Sequence, residues 1–403
     1  MLALAWRNLF RHRGRTLATL ASIVFGVAGL ILSGGFVHDI FVQLAEALIH
    51  SQTGHLQVMR IGYFEGGTRF PERFRIDDRA AIENRIAAMP EVSDVMGRIP
   101  FSGLLNNGRS DWAIVGEGVE SDKEARLGSH VRLVAGRQLR STDEYGVSIG
   151  QGVAQALKLR PGDRATLVTN TAEGALNSLD VEVVGVFETF SKEFDARALR
   201  MSLPAAQELM SSKSINSLVV ALKDTADTDA VARRITSLLR DKPLEVKSWQ
   251  TLNDFYDKTV ALYERQFGVL QLIILAMVLL SVANSTNMTV WERLGEFGTM
   301  RALGNRRRTI IVLILVESVL LGIVGATLGV LVGVACALAI SAVGIPMPPP
   351  PNANLGYTAL IRLVPDVIVM AFGVGLFATV LATILPALRV SREPVADALR
   401  ANV

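Results

Sequence analysis

The sequence predicts an α+β membrane protein: four transmembrane helices, one before and three after a large exported α/β domain. Half of the 403 residues are hydrophobic and the mean hydropathy is +0.35, too apolar for an ordinary soluble chain, yet a fifth are charged, too many for a chain wholly in lipid. Four apolar runs, 17–36, 267–290, 310–343 and 367–388, reach the roughly 20 residues that cross a hydrocarbon core. Between the first two, 37–265 mixes acids and bases evenly, as a solvated folded domain does.

Residues 1–36 form a basic amino end and the first span. A signal peptide is the competing reading. The apolar core is too long for one, and Gly34-Gly35-Phe36-Val37-His38 lacks a small-x-small cleavage site. The third run exceeds a bilayer's need, so it tilts or protrudes. Arg7, Arg11, Arg13 and Arg15 precede the first span. Arg293, Arg301 and Arg306 to Arg308 lie between the second and third, and Arg389, Arg392 and Arg400 follow the last. The third-to-fourth loop carries only Arg362, so the three basic flanks are expected in the cytoplasm, with both termini, and 37–265 on the other face. The pI of about 9.1 then follows from topology and gives no support to nucleic-acid binding.

In the exported region, hydrophobic period predicts strand 55–60, helix 77–89 after an Asp cap and strand 92–98, then strand 215–222, helix 228–239 and strand 244–247. These are two α/β halves, about 52–100 and 213–250, interrupted by a β-rich subdomain, about 101–212. That subdomain holds strands 112–115, 131–134, 164–169 and 181–187 and a turn at Arg160-Pro161-Gly162-Asp163. Segments 37–50 and 251–266 read as helices, either stalks continuing the neighbouring spans or surface helices. The remainder, 266–403, carries three spans, the connector 291–308 and a tail.

Enzyme chemistry finds no support. His12, His38, His50, His55 and His130 make no metal-spacing motif, His50 and His55 do not share a helical face, and no nucleophile constellation occurs. The single cysteine, Cys336, falls in the third span and reads as a small packed residue. Polar groups in the spans are few. Gly325, Gly329 and Gly333 recur every fourth residue, which suits close helix packing, within the bundle or at a seam between two subunits. Asn284 and Asn287 read as hydrogen-bonding glue. Glu317, the one carboxylate well inside a span, reads as a packing or bonding group rather than a proton carrier. Pro346-Met-Pro-Pro-Pro-Pro351 is a stiff polyproline segment, a brace or a spacer.

The order of span, exported domain and three spans, with Glu292-Arg293, Glu296-Phe297-Gly298, Met300-Arg301-Ala302-Leu303-Gly304 and Arg307-Arg308, resembles the FtsX/MacB/LolC-LolE superfamily of ABC transporter permeases. Val147-Ser148-Ile149-Gly150, Ala154, Leu157, Pro161-Gly162-Asp163 and 246–249 are similar to that family's MacB-like periplasmic domain, and Trp6-Arg7-Asn8-Leu9 to its lipoprotein-releasing branch. The resemblance implies a non-catalytic subunit in the bacterial inner membrane, moved by a cytoplasmic ATPase dimer that binds ATP and Mg. No G-x-x-x-x-G-K-[ST] loop occurs in the sequence, and no cofactor is expected on this chain. It further implies a second permease, the same or paralogous, and a lipoprotein or lipid cargo. MacB-like efflux with an adaptor and FtsX-like control of a cell-wall hydrolase are the alternatives.

By resemblance, 291–308 is a coupling helix seated on the ATPase. Glu292, Arg293, Glu296, Phe297, Met300, Arg301, Gly304 and Arg307 are the candidate residues. Glu296 and Met300 are four apart, as are Arg293 and Phe297, and Gly304-Asn305 suits a carboxyl cap.

Overall fold

Helix, mixed sheet and three further helices follow one another in the computed structural model, which describes residues 13–67, 71–76, 78–171, 174–349 and 356–395. Trp6-Arg7-Asn8-Leu9, Arg7, Arg11, Asp77, Pro350, Pro351 and Arg400 lie outside the described residues. The helices of seven or more residues are α1 (Arg13–Leu48), α2 (Arg79–Ala87), α3 (Ser121–Leu127), α4 (Gln151–Leu157), α5 (Leu203–Leu209), α6 (Thr228–Leu238), α7 (Asp254–Glu292), α8 (Leu294–Ala302), α9 (Arg307–Val343) and α10 (Pro365–Arg392). The strands of the large sheet are β1 (Leu56–Arg60), β2 (Val92–Asn106), β3 (Asp111–Val119), β4 (Arg132–Gly136), β5 (Gly146–Gly150), β6 (Arg164–Asn170), β7 (Leu176–Glu188), β8 (Ala198–Ser202), β9 (Ser217–Leu222) and β10 (Leu244–Ser248), and Ile345–Met347 pairs with Tyr357–Ala359 in a separate two-stranded sheet. The chain divides into a helical unit and a unit built on the sheet, spanning mainly 43–258.

In the sheet unit the strands run in the order β10-β1-β9-β2-β3-β8-β5-β7-β4. Because β6 pairs with both β2 and β7, the strands β2, β3, β8, β5, β7 and β6 close into a ring. Closure removes exposed edges from that part of the sheet. The ring belongs to the stretch read as an interruption, and β10-β1-β9 to the flanking halves. The 15-residue strand β2 joins them: Val92 to Arg98 pairs with β9, and Arg98 to Asn106 with β3. At the crossing, a Cβ on Gly103 would meet the Val168 carbonyl oxygen at 2.5 Å, so only glycine lets β2 and β6 approach there.

Burial of one apolar set holds this unit together. Val147, Ile149, Leu167, Val183, Leu199 and Met201 fill the ring, while Ile82 and Ile86 of α2 and Val231 and Ile235 of α6 cover the neighbouring strands in the same cluster. Strands β5, β8 and β9 are buried at every residue, so their sequences do not alternate. Asp78 stands at the N-cap of α2 without capping through its side chain.

After α1 comes a five-residue π-turn, Ile49–Thr53. Helix ends leave carbonyls unpaired. Here Arg98 donates to the Gln52 carbonyl and Arg200 Nη2 to the Ser51 carbonyl at 2.6 Å. Both guanidiniums are buried beside Glu124, whose Oε1 lies 2.6 Å from Arg98 Nη2 and 3.4 Å from Arg200 Nη2. Such an arrangement is tolerable inside a protein because each charge is paired and hydrogen-bonded.

Among the described residues, four helices are apolar and long enough to cross a membrane. Segments 37–50 and 251–266, left open between stalk and surface helix, are largely continuations of α1 and α7. The bundle core is Ile23, Val27, Leu30 and Ile31 of α1, Val278 and Val282 of α7, and Ala326, Ala371, Ala378 and Ala382 of α9 and α10. The loop before α10 is stitched to α1: Asp39, fully buried, accepts from Leu360 N–H and Arg362 Nε, both at 2.8 Å.

Candidate functional site

The connector is a helix with two unlike faces. Helix α7 stops at Glu292, Arg293 turns the chain, and α8 runs to Ala302. Gly304, at φ +96°, ends it in a Schellman cap: Asn305 N–H bonds the Met300 carbonyl at 3.1 Å and Gly304 N–H the Arg301 carbonyl at 3.0 Å. Helix α9 then begins at Arg307.

The inward face is anchored by apolar contact and charge. Leu294 and Phe297 join Val290, Ile310, Leu313, Ile314, Ala387 and Val390 in one cluster, and Phe297 is 2% exposed. Arg293 reaches into the bundle, with Nη1 2.7 Å from Glu317 Oε2, Nε 3.1 Å from Glu296 Oε2, and its guanidinium 5.1 Å from the Phe297 ring centre. Arg301 donates to the Glu393 carbonyl beyond α10. Around the ion pair lies a cavity of about 80 Å³ lined by Thr16, Thr19, Ser285, Thr289, Glu317 and Ser318, among others. Its hydroxyls give the carboxylate a polar surrounding in an otherwise apolar bundle.

The outward face carries Glu292, Thr299, Leu303, Gly304, Asn305 and Arg306 to Arg308, all exposed, with Glu296 half-exposed. Leu303 is 80% exposed. It stands three residues before the exposed run Arg306 to Arg308.

The candidate residues divide between the two faces. Arg293 and Phe297 do share a face, but it is the buried one, because Glu317 needs a cation and Phe297 an apolar seat. Met300 packs partly against the same cluster and Arg301 is half-buried, whereas Glu292, Gly304 and Arg307 are exposed. Leu303 was not among the candidate residues. Its signal was an apolar residue in a helix's last turn before a glycine.

Among the packing residues, the glycine stripe faces α1 of the same chain. A Cβ would meet Ile23 Cγ2 at 2.9 Å from Gly325, Val27 Cβ at 2.7 Å from Gly329 and Ala28 Cα at 3.1 Å from Gly333. Glu317 bonds Arg293. Asn284 is exposed on α7, and among the described residues Asn287 Oδ1 is buried with no hydrogen-bond partner. Hydroxyls act instead, Thr19 with Ser285 and Ser22 Oγ with Ser281 Oγ at 2.7 Å. Serine and threonine at these positions looked neutral in sequence. Among the described residues no group of His, Cys, Asp and Glu is arranged to hold a metal ion.

Comparison with known proteins agrees with this architecture. Residues 16–238 match the MacB-like periplasmic core domain and 268–395 the FtsX-like permease C-terminal family. The macrolide export ATP-binding/permease protein MacB of Salmonella typhi is 24% identical over 344 residues, 82% of this chain and 51% of that protein. The chain thus spans about half the length of such relatives. The lipoprotein-releasing system transmembrane protein LolC of Neisseria meningitidis serogroup B is 24% identical over 331 residues, 79% of this chain and 76% of that one. The crystal structure of the periplasmic region of MacB from Actinobacillus actinomycetemcomitans covers 52% of this chain and 94% of its own, with a TM-score of 0.37 and 15% identity. With one match over the first span and exported domain and a second running through the connector and the last three spans, the chain belongs to the FtsX/MacB/LolC superfamily of ABC transporter permeases.

Proposed function

We propose that this chain carries motion from a separate cytoplasmic ATPase dimer across the bacterial inner membrane to its exported domain, with α8 as the element on which the ATPase acts. The two-faced connector is the observation that carries the reading. Arg293, Phe297 and Arg301 fasten α8 to α9 and α10, so a push on its outer face moves the spans instead of bending a loop. ATP and Mg belong to the partner. The arginine-rich flanks support a cytoplasmic connector and termini and a periplasmic sheet unit.

For the task served by that motion, we favour release of lipoproteins or lipids from the membrane, by a pair of permeases, the same or paralogous. Two observations support it. The lipoprotein-releasing relative aligns over about three quarters of both chains. The central cluster of the bundle is alanine and aliphatic side chains, surroundings that suit an apolar cargo better than a hydrophilic solute. Export of lipophilic compounds or peptides with an adaptor is the second reading, supported by similarity to the macrolide exporters.

Purification of the tagged protein from its own membranes in mild detergent, with mass spectrometry of what accompanies it, tests the proposal. A stoichiometric ATPase with a lipoprotein is expected, and Leu303→Asp should lose the ATPase while the permease still inserts. An adaptor in place of the lipoprotein would transfer support to export. Absence of any ATPase would overturn the coupling role.

A further inference from the structure

Three of the five histidines, scattered in sequence, meet at the end of α1. The His50 ring lies 5.5 Å from that of His55, edge to face, and 5.5 Å from that of His130, stacked at 23°. Their proton positions are fixed by what surrounds them. Leu222 N–H donates to His55 Nδ1 at 3.1 Å, so that nitrogen carries no proton and His55 is neutral, protonated on Nε2. His55 Nε2–H faces Thr225 Oγ1 at 3.2 Å, and the Thr225 hydroxyl donates to Glu46 Oε1 at 2.7 Å. The other Glu46 oxygen lies 3.2 Å from His50 Nε2. His50 Nδ1 lies 2.9 Å from the Leu127 carbonyl oxygen, which can only accept. His50 therefore donates from both nitrogens and carries both protons.

We infer that Glu46, His50, His55 and His130 form a proton-dependent clasp that fastens the last turns of α1 to the end of α3 and to the Thr225 turn after β9. The groups facing one another are Glu46 and His50 from α1 and its π-turn, His55 before β1, His130 after α3 and Asp224 after β9. With His50 charged against Glu46, the cluster has no place for a second imidazolium. A proton added to His55 breaks the Leu222 bond and puts like charges 5.5 Å apart. A proton lost from His50 leaves either the Leu127 carbonyl or Glu46 without its donor. The clasp is closed only between these two events, and it opens by different bonds at its acid and alkaline limits. Burial, and then the charge on His50, hold both His55 and His130 below the usual imidazole range.

Full-length protein in lipid nanodiscs, labelled with ring-¹³C histidine and assigned by substituting its five histidines one at a time, tests this. At pH 7, His50 is expected as the imidazolium and His55 as the neutral Nε2–H tautomer. Amide exchange, corrected for intrinsic rate, should rise together in 46–55 and 121–131 by about tenfold or more as pH passes through the His50 titration, while 79–87 stays unchanged. His50→Arg, a permanent cation, should abolish the rise, and Glu46→Gln should move it to lower pH. A neutral His50 at pH 7, or exchange indifferent to its titration, would overturn the clasp.

Discussion

Arg293 Nη1 lies 2.7 Å from Glu317 Oε2, joining the turn before the connector helix to a carboxylate inside the third span. Arg293 is buried and Glu317 partly so, each on the strength of the other, so the pair is both a fastening and a liability. Glu292, one residue before Arg293, faces outward, so adjacent charges in the sequence have opposite fates.

Arg293→Ala should strand Glu317 and cost on the order of 3 kcal/mol, read as a lower midpoint of thermal unfolding in detergent. The exchange Arg293→Glu with Glu317→Arg should recover most of the loss, and Arg293→Lys only part, since lysine cannot bond both carboxylates as a planar fork. If the exchange is no better than either single change, the pair is incidental.

Gly304→Ala should destabilise the end of α8 by about 1 kcal/mol, because the cap requires positive φ. Gly304→Asn should cost less. Hydrogen exchange at 300–305 reports it, and identical protection in all three proteins would show that the cap does not hold the helix.

On α9, Gly329→Val should overpack against Val27 and Val24 by roughly 1–3 kcal/mol. Gly29→Ala, with no atom near the added methyl, should stabilise its helix by about 0.5–1 kcal/mol. Thermal unfolding of the two variants should move in opposite directions, and parallel shifts would contradict the packing described.

His55 sets an acid limit on the sheet unit. Its pKa is held down to about 4, first by burial, so the stability it confers is full above the unfolded imidazole value near 6.5 and lost as pH falls through about 4. The loss should be on the order of 3 kcal/mol across that window. Trp112 and Trp249 fluorescence during unfolding would follow it, and His55→Gln should flatten the slope.

The spans were legible because length and hydropathy suffice to mark them, and the glycine stripe because a four-residue period puts those residues on one face. Strands β5 and β8 were not read as strands: buried on both sides, Gly146–Gly150 and Ala198–Ser202 lack alternation, and the first appeared only as a motif. Ring closure is a long-range pairing of β6 with β2 that no local pattern encodes. Spacing put Arg293 and Phe297 together but not which way they faced, since only Glu317, 24 residues on, decides that. The histidines were dismissed on spacing, yet 75 residues between His55 and His130 become a shared neighbour in His50.

The contact between α1 and α9 repeats itself. Ile23 sits at Gly325, Val27 at Gly329 and Ile31 at Gly333, so knob and notch both recur every four residues with the helices running the same way. A slide of one such step, about 6 Å along the axis, would seat Ile23 at Gly329 and Val27 at Gly333. The two helices thus meet as a toothed track, whose next register is a second fit of the same surfaces.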